Sequence, residues 1–413
     1  MSIADVIKST TSTTIKNPKP FKGIGVGDAC LDENYIYISF SNTVKSVHKE
    51  NLEVISQASL PTPSIWRCAA NNEKLYLVGT KTVVTLSQNL KQLDKKPLYL
   101  QIRAYGELFV PYHVTVYNDY LLVAGALFSR NYGEYTAVIG KISTKSLWLE
   151  KLYVSKVCTS FHSTAVHPGT NSVWAVGALS KWGLVKLCIE VLDIPTLERK
   201  ETPDTYVGMG VDATLDSQGN VYVVTHNKLV KLVEYVTDPF EEPSRSERKR
   251  IRFDKDLPQD VTPLSIAYAN GFIVLLADDK STHSPRVIVY DEGFEEVGNL
   301  SLPPLKRTVL LGWKLLYDGE KVFAVITEDR GTTIYSVSIA DRNHFITIVA
   351  DNDIIRVNGY LYRDKRLSDV IREVVKKEFT EVYVFDGVKL RRVDGGEKVE
   401  DILKENVKTI YVL

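Results

Sequence analysis

A pair of short strands joined by a tight turn recurs seven times between residues 29 and 326, and this repeat limits the fold more than any other feature. Each copy has an apolar strand, a turn of a few residues rich in Asp, Asn and Gly, and a second strand of alternating apolar residues. The copies are ACLDENYIYISF (29–40), CAANNEKLYLVG (68–79), VTVYNDYLLVAG (114–125), TAVHPGTNSVWAVG (164–177), ATLDSQGNVYVVT (213–225), IAYANGFIVLLA (266–277) and LLYDGEKVFAVI (315–326). The second strands are predicted to begin at Tyr35, Lys74, Tyr120, Ser172, Asn220, Phe272 and Lys321, which places successive copies 39 to 52 residues apart. A repeat of this length built from strands indicates a ring of small sheets and argues against a helical array.

A third strand and usually a fourth follow each hairpin, as in 43–61 and 286–303. Four short antiparallel strands form one blade of a β-propeller, so the fold class is mainly β with seven blades. The seventh repeat has only three candidate strands, which end in 332–340. We expect the β-prone segment 10–18 to supply the fourth, because ring closure removes exposed sheet edges. The repeat resembles WD40-like propellers, without their Trp-Asp dipeptides.

The pattern changes at His344, which predicts a first domain over 1–343 and a second over 344–413. Strands are predicted at 345–352 and 353–362, followed by a helix whose apolar stripe is Leu367, Val370, Ile371, Val374 and Val375. Further strands are predicted at 381–386, 388–393 and 408–413, with a short helix at 399–406. This order of elements is that of a β-grasp fold.

The C-terminal segments VFDGVKL (384–390), DGG (394–396), VEDIL (399–403) and TIYVL (409–413) resemble ubiquitin in order and spacing. The resemblance covers about 70 residues and implies a ubiquitin-like domain, with Val384 and Leu413 at the positions of ubiquitin's apolar binding patch. Conjugation of such proteins requires an extended tail ending in Gly-Gly. Because the sequence stops at Leu413 without that tail, we expect a docking module and not a conjugated modifier.

The balance of 51 basic and 51 acidic residues gives a net charge of zero, which argues against nucleic acid as a partner. A hydrophobic fraction of 44% with 25% charged residues is typical of globular proteins and excludes a disordered chain. The sequence shows neither a signal peptide nor an apolar run long enough for membrane insertion, so we expect a soluble cytoplasmic protein. Two Met and six Gln beside many Lys, Glu, Ile and Val suggest a thermophilic, archaeal source.

One polar residue precedes the apolar stretch of each blade, where the innermost strands converge on the propeller axis. These residues are Asp28, Arg67, His113, Ser163, Asp212, Ser265 and Lys314, with His162 beside Ser163. Imidazole and carboxylate groups bind metals and transfer protons, so Asp28, His113, His162 and Asp212 could support lyase or hydrolase chemistry, with Arg67 or Lys314 stabilising an anion. The favoured interpretation is structural: a mixed ring pairs its own charges, and we expect no bound metal or cofactor.

Aromatic loops of the third blade, within 99–113 and 126–135, are the better candidate for binding a protein partner. Aromatic and Arg side chains are enriched in interface hot spots. The candidates are Tyr105, Phe109, Tyr112, Phe128, Arg130 and Tyr132. Packing between blades is the competing interpretation of the same residues.

Three further motifs carry less information. GIGVGD (23–28) lacks the strand and helix that flank a dinucleotide site. The basic run in 243–255 could contact phosphates, but it is flanked by acidic residues, which favours an ordinary solvated hairpin. The four cysteines, Cys30, Cys68, Cys158 and Cys188, match no zinc spacing and are expected to be free thiols.

These observations predict a non-enzymatic scaffold or adaptor that binds proteins through loops on the propeller face and through the ubiquitin-like domain. The alternative is a metal-assisted lyase or hydrolase that uses the axial residues. A third possibility is an adaptor whose C-terminal domain recruits a proteolytic or unfolding machine while the propeller holds its client.

Overall fold

A computed structural model describes most of the chain. The described residues are 6–16, 27–61, 64–98, 102, 108–129, 133–181, 184–201, 206–216, 218–236, 248–304, 310–328, 331–340, 345–350, 353–358, 365–375, 381–385, 390–393, 396–404 and 409–412. None of the helices in these ranges is long and apolar enough to cross a membrane.

Seven antiparallel sheets follow one another along the chain. The first three are β2 Gly27–Leu31, β3 Tyr35–Phe40, β4 Thr43–His48 and β5 Val54–Ser59; β6 Arg67–Ala70, β7 Lys74–Val78, β8 Thr82–Ser87 and β9 Gln92–Pro97; and β10 Leu108–Tyr117, β11 Tyr120–Ser129, β12 Glu134–Ser143 and β13 Leu149–Val154. The fourth has β14 Ser160–His167, β15 Ser172–Lys181 and β16 Leu184–Asp193, with the outer pieces β17 Arg199–Glu201 and β18 Tyr206–Val207 both paired to β16.

The remaining three sheets repeat the plan. They are β19 Gly210–Leu215, β20 Val221–Thr225, β21 Lys228–Val236 and β22 Arg248–Asp256; β23 Val261–Ala269, β24 Phe272–Asp279, β25 Pro285–Tyr290 and β26 Glu296–Ser301; and β27 Leu310–Tyr317, β28 Lys321–Glu328 and β29 Gly331–Ile339. Six of the seven second strands begin at the predicted residue, and β20 begins one residue later. The seven sheets fit the seven blades predicted from the repeat.

The innermost strands of successive blades contact one another all round, and β27 of the last blade contacts β2 of the first. The ring is also closed at its edge, because β1 (Ile7–Lys16), from the N-terminus, pairs antiparallel with β29 as the fourth strand of blade seven. Thr14 lies opposite Thr333 in this pairing, 319 residues further along the chain.

The hydrophobic core lies between the blades. Each of the seven seams between neighbouring blades holds one cluster of buried apolar side chains. Second strands such as β7 and β11 are covered on both sides by adjacent blades. Their sequences are therefore almost continuously apolar. Outer strands such as β5 and β9 are mostly exposed and carry polar residues.

A buried Leu or Phe adopts the left-handed backbone conformation in the turn between the third and fourth strands of five blades. These residues are Leu52, Leu90, Leu147, Leu197 and Phe294, with φ between 49° and 66°. A non-glycine residue pays roughly 1–2 kcal/mol for this conformation. Burial of the side chain contributes roughly 1.5–3 kcal/mol, which offsets that cost and fixes the turn.

The elements of the C-terminal segment are β30 Phe345–Ala350, β31 Asp353–Asn358, α1 Leu367–Val375, β32 Val382–Phe385, β33 Leu390–Arg392, α2 Val399–Lys404 and β34 Thr409–Val412. Its five strands form one mixed sheet in the order β31-β30-β34-β32-β33. The central pair, β30 and β34, is parallel, and the other pairs are antiparallel. Leu367, Val370 and Ile371 of the predicted helix stripe are buried with Ile402 and Ile410 in a separate core.

The prediction of four free thiols is wrong for two of them. Cys158 and Cys188 form a disulfide with a Cα–Cα distance of 5.7 Å. The connector before β14 brings Cys158 against the third strand of the same blade, a pairing that the linear spacing does not reveal. Cys30 and Cys68 are free and buried, and burial raises the pKa of both thiols.

Candidate functional site

A cavity of about 210 Å³ lies where the innermost strands begin. Five of the six axial residues that were considered for catalysis line it: Asp28, Arg67, His162, Asp212 and Lys314. His113 does not line it and lies in the wall behind, against Thr164. The other lining residues are Gly27, Tyr112, Met209, Val211, Leu264, Ser265, Leu311, Gly312 and Trp313.

A β-bulge in the innermost strand of blades three to seven determines which side chains reach this cavity. Each bulge leaves one residue unpaired, and these residues are Tyr112, His162, Val211, Leu264 and Leu311. All five line the cavity. Bulges re-aim side chains and are common beside functional sites. Alignment of the repeats assumed regular alternation, so it placed His113 in the cavity where Tyr112 lies.

The bulges require glycine on the adjoining strand in two blades. A Cβ at Gly125 would lie 2.3 Å from the carbonyl oxygen of Val110, and one at Gly177 would lie 1.9 Å from that of Ser160. No side chain fits at either distance. The second strands of blades three and four therefore carry glycine for close backbone approach.

Several predicted ring residues join one blade to the next by accepting a backbone N–H. Asp28 Oδ2 accepts from Cys68 N at 3.0 Å, and His113 Nδ1 accepts from Thr164 N at 3.3 Å. Ser265 Oγ accepts from Leu315 N at 3.1 Å in the same way. These contacts satisfy strand-edge donors at the blade seams, so this part of the polar ring supports the structure.

Asp212 is the most heavily bonded member of the ring. Its Oδ1 accepts from Ser163 Oγ at 2.6 Å and from Ala213 N at 2.9 Å, and its Oδ2 accepts from Ser265 Oγ at 2.6 Å and from Ile266 N at 3.2 Å. Burial acts to raise the pKa of Asp212, but Lys314, His113 and these hydrogen bonds outweigh it and lower the pKa. The carboxylate stays ionised with its hydrogen-bonding capacity used inside the wall.

His113 is a poor candidate for metal binding or proton transfer. Its Nδ1 lies 2.8 Å from Thr164 Oγ1, and burial together with the charge of Lys314 places its pKa well below the ordinary histidine value. Within the part of the chain that the structure describes, no group of three or more His, Cys, Asp and Glu side chains is arranged to hold a metal ion.

His162 is oriented differently, with both ring nitrogens engaged. Its Nδ1 lies 2.8 Å from the carbonyl oxygen of Gly210, which can only accept, so Nδ1 carries the proton. Its Nε2 is then an acceptor, and Ser160 Oγ donates to it at 2.9 Å. Burial lowers the pKa of His162, so the ring is neutral at pH 7. A hydroxyl on a neutral imidazole that is held by a third group is the geometry of a nucleophile and its base.

A larger groove of about 820 Å³ lies between blades three and four, beside the axial cavity, and shares Tyr112 and Met209 with it. The strands β10, β11, β12, β15 and β16 are ten residues each, against four to six in the first two blades. At about 3.3 Å per residue, the extra length extends these strands by roughly 13 Å or more. The extended ends carry exposed apolar side chains at Leu108, Tyr135, Leu184 and Val185.

The predicted aromatic binding residues divide into three groups. Tyr112 lines both cavities, and the half-buried Phe128 packs on Tyr135 with ring centroids 4.8 Å apart. Phe109 is only 4% exposed and packs between blades two and three, which is the competing interpretation of packing between blades. Tyr105, Arg130 and Tyr132 lie outside the described residues. Tyr135 and Leu184 were not among the predicted binding residues. The unusual length of their strands was the sequence signal that could have identified them.

The predicted apolar patch of the C-terminal domain also needs correction. Val384 is 1% exposed and belongs to the core beneath the sheet, because strand alternation turns it inward. Its neighbours Tyr383 and Phe385 face the opposite way, and Tyr383 pairs with the exposed Tyr411. Leu413 lies outside the described residues.

Only parts of the two remaining motifs lie within the described residues. Gly27 and Asp28, the end of GIGVGD, begin strand β2, and 23–26 lie outside the described residues. Part of the basic run forms β22, where Arg252 Nη2 donates to Asp254 Oδ2 at 2.9 Å. Lys228 Nζ lies 2.9 Å from the same carboxylate oxygen, so acidic partners compensate this part of the run.

No protein family and no curated protein matches the sequence. Solved structures match the fold. A Kuenenia stuttgartiensis hydrazine synthase is 12% identical, with 75% of this chain and 94% of that chain covered and a TM-score of 0.50. The Neurospora crassa Pan2 WD40 domain is 10% identical, with coverages of 81% and 96% and a TM-score of 0.51. The Myceliophteria thermophila Cps50 (Swd1) β-propeller domain is 12% identical, with coverages of 79% and 99% and a TM-score of 0.55. At these identities the likeness concerns the fold alone, and the chain contains a β-propeller similar to WD40 domains.

Proposed function

We propose that this chain is a non-enzymatic scaffold that binds protein partners through the face of blades three and four. The observation that carries the proposal is the groove of about 820 Å³ whose neighbouring strand ends expose Leu108, Tyr135, Leu184 and Val185. Exposed apolar side chains grouped beside a concave surface are typical of protein interfaces. Structural likeness to WD40 domains favours the same general role.

We also propose that residues 1–343 and 344–413 are separate domains, the second of them ubiquitin-like. The strand order, with a central parallel pair and the helix core on one face, supports this assignment. The second binding surface of the chain would lie on this second domain, on the outward sheet face with Tyr383, Phe385 and Tyr411. Two linked surfaces raise the effective concentration for a partner with two sites.

The groove proposal predicts that Tyr135→Asp with Leu184→Asp abolishes capture of partners. Full-length wild type and variant serve as baits in extracts of the source organism, and captured proteins are quantified by mass spectrometry. Proteins bound at the groove should fall at least roughly tenfold, since two buried charges cost well over 1.4 kcal/mol at an interface.

The matched control is Val54→Asp with Ile55→Asp, which changes two exposed apolar residues on the outer strand of blade one. It should leave the captured set unchanged. Equal capture by wild type and the groove variant, or equal losses in both variants, would contradict the proposal.

A second candidate function is ester hydrolysis without a metal, which the geometry of Ser160 and His162 favours. Ser160 Oγ would attack the carbonyl carbon of an ester while its proton passes to His162 Nε2. The leaving alkoxide would take that proton, and water would then release the acyl group from Ser160. Ser160 lines the groove and is only partly buried, so a substrate could approach it.

This function predicts that a fluorophosphonate probe labels Ser160, with loss of fluoride and formation of a P–O bond. His162→Gln should slow the labelling by roughly 100-fold or more, because general-base assistance contributes that much. Peptide mass spectrometry identifies the labelled serine. Ser180→Ala is the control, since Ser180 is exposed in the same groove. Absence of label on Ser160, or labelling that is indifferent to His162→Gln, would rule the function out.

A further inference from the structure

The polar groups of the axial cavity differ in how far the wall already uses them. Its four charged side chains are Asp28, Arg67, Asp212 and Lys314, whose formal charges cancel. Formal charge alone therefore does not indicate a ligand. The hydrogen-bonding capacity of each group is the better guide, because a saturated group has nothing to offer a ligand.

Groups of the cavity wall already occupy most of the hydrogen-bond acceptors of Asp212 and Asp28. Asp212 receives four hydrogen bonds from two hydroxyls and two backbone N–H groups of the wall. Asp28 Oδ2 receives the N–H of Cys68. Among the described residues, Asp28 Oδ1 is the one carboxylate oxygen of the cavity that accepts no hydrogen bond.

Within the described structure, the wall leaves most hydrogen-bond donors of Lys314, Tyr112 and Arg67 without an acceptor. Among the described residues, Lys314 Nζ has no hydrogen bond or ion pair, and neither does the hydroxyl of Tyr112. Arg67 donates through Nε to the carbonyl oxygen of Pro111 at 3.3 Å and through Nη1 to that of Gly27 at 3.5 Å, a long contact. Its Nη2 makes no hydrogen bond within the described part of the chain. The cavity thus has more free donors than free acceptors, and two of the donor groups are cations.

The size of the cavity limits the ligand. About 210 Å³ is below the roughly 300–1,000 Å³ typical of pockets for drug-sized molecules. It suits a small acid or a single acidic side chain. Apolar contact is available from Leu264, Leu311 and the 38% exposed Trp313.

We propose that the axial cavity is a carboxylate-binding site in which Arg67 and Lys314 hold the anion and Tyr112 donates a further hydrogen bond. Arginine presents a planar fork that matches a carboxylate, and lysine adds a point charge. The carboxylate comes from a free small acid or from an Asp or Glu side chain of a bound protein. Tyr112 also lines the groove, but Arg67 and Lys314 do not, so anion binding can be tested separately from partner binding at the groove and from chemistry at Ser160.

The test is calorimetric titration of the full-length protein with glutarate and with acetyl-Gly-Glu-Gly-amide. The uncharged matches are glutaramide and acetyl-Gly-Gln-Gly-amide. We expect a carboxylate ligand to bind and its uncharged match not to bind. Binding of glutarate identifies a free acid as the source, whereas binding of the Glu peptide alone identifies a protein side chain.

Variants locate the site. Lys314→Gln should weaken binding at least roughly tenfold, because a hydrogen bond to a charged group is lost, and Lys314→Arg should retain most of it. Lys321→Gln is the control, since Lys321 belongs to the same hairpin but does not line the cavity. Failure of both carboxylate ligands to bind at millimolar concentration overturns the proposal, as does equal binding of the uncharged match. The comparison with the uncharged match uses wild type and stands even if a variant misfolds.

Discussion

Replacement of Asp212 by alanine is expected to lower the free energy of unfolding of the propeller by about 3–5 kcal/mol. The substitution removes the carboxylate that accepts from the backbone N–H of Ile266 and leaves the hydroxyls of Ser163 and Ser265 without the acceptor that they share. Buried donors without acceptors carry their full desolvation cost. Chemical denaturation followed by circular dichroism measures the change.

Asp256→Ala is the matched control, since Asp256 lies in the next hairpin of the same blade with its side chain 80% exposed and, among the described residues, paired only to Lys228. It should change stability by less than about 0.5 kcal/mol. A loss below about 1 kcal/mol in Asp212→Ala would contradict the structural role of the ring.

The pH dependence provides an independent check on Asp212. Its pKa in the folded protein is below the unfolded value of about 3.9, so its charge stabilises the fold above that value. This contribution disappears as the pH falls through the folded pKa. The stability difference between wild type and Asp212→Asn should therefore shrink below about pH 4.

Loss of the Cys158–Cys188 disulfide is expected to cost about 2–4 kcal/mol, because the bond closes a loop with a sequence separation of 30 residues. Cys158 lies in the connector that forms one wall of the groove, so the bond also fixes that wall. Thermal unfolding with and without a phosphine reductant measures the effect.

The control for the disulfide is the double variant Cys158→Ser, Cys188→Ser, which should resemble the reduced wild type and not respond to reductant. Alkylation with mass spectrometry verifies that the thiols have been released. Unchanged unfolding of a fully reduced wild type would show that the packing around both cysteines, and not the bond, holds the connector.

Much of the architecture could be predicted because the strands of most blades are consecutive in the sequence. Apolar runs such as those of β7 and β11 mark strands that are covered on both faces. The C-terminal elements were equally local, since the apolar stripe of α1 is visible in the sequence. The ubiquitin-like assignment and the domain boundaries remain predictions.

The details of the candidate site could not be predicted, because each depends on a shift of one residue or on a contact across the fold. The bulge beside His113 places Tyr112 in the cavity, and alternation turns Val384 into the core. Neither shift changes the composition of its segment. The disulfide joins a connector to a strand, a pairing for which the spacing of the cysteines holds no signal.

Strand β1 has a consequence for the order of events during synthesis. It is made before all the other described strands, yet its partner β29 ends at Ile339. At about 5–20 residues per second, translation of the intervening chain takes on the order of 15–60 seconds. Throughout that time β1 presents an unpaired strand, while six blades can assemble behind it. The ring can close only after β29 has left the ribosome, so the nascent chain is exposed to wrong strand pairing until β29 has emerged.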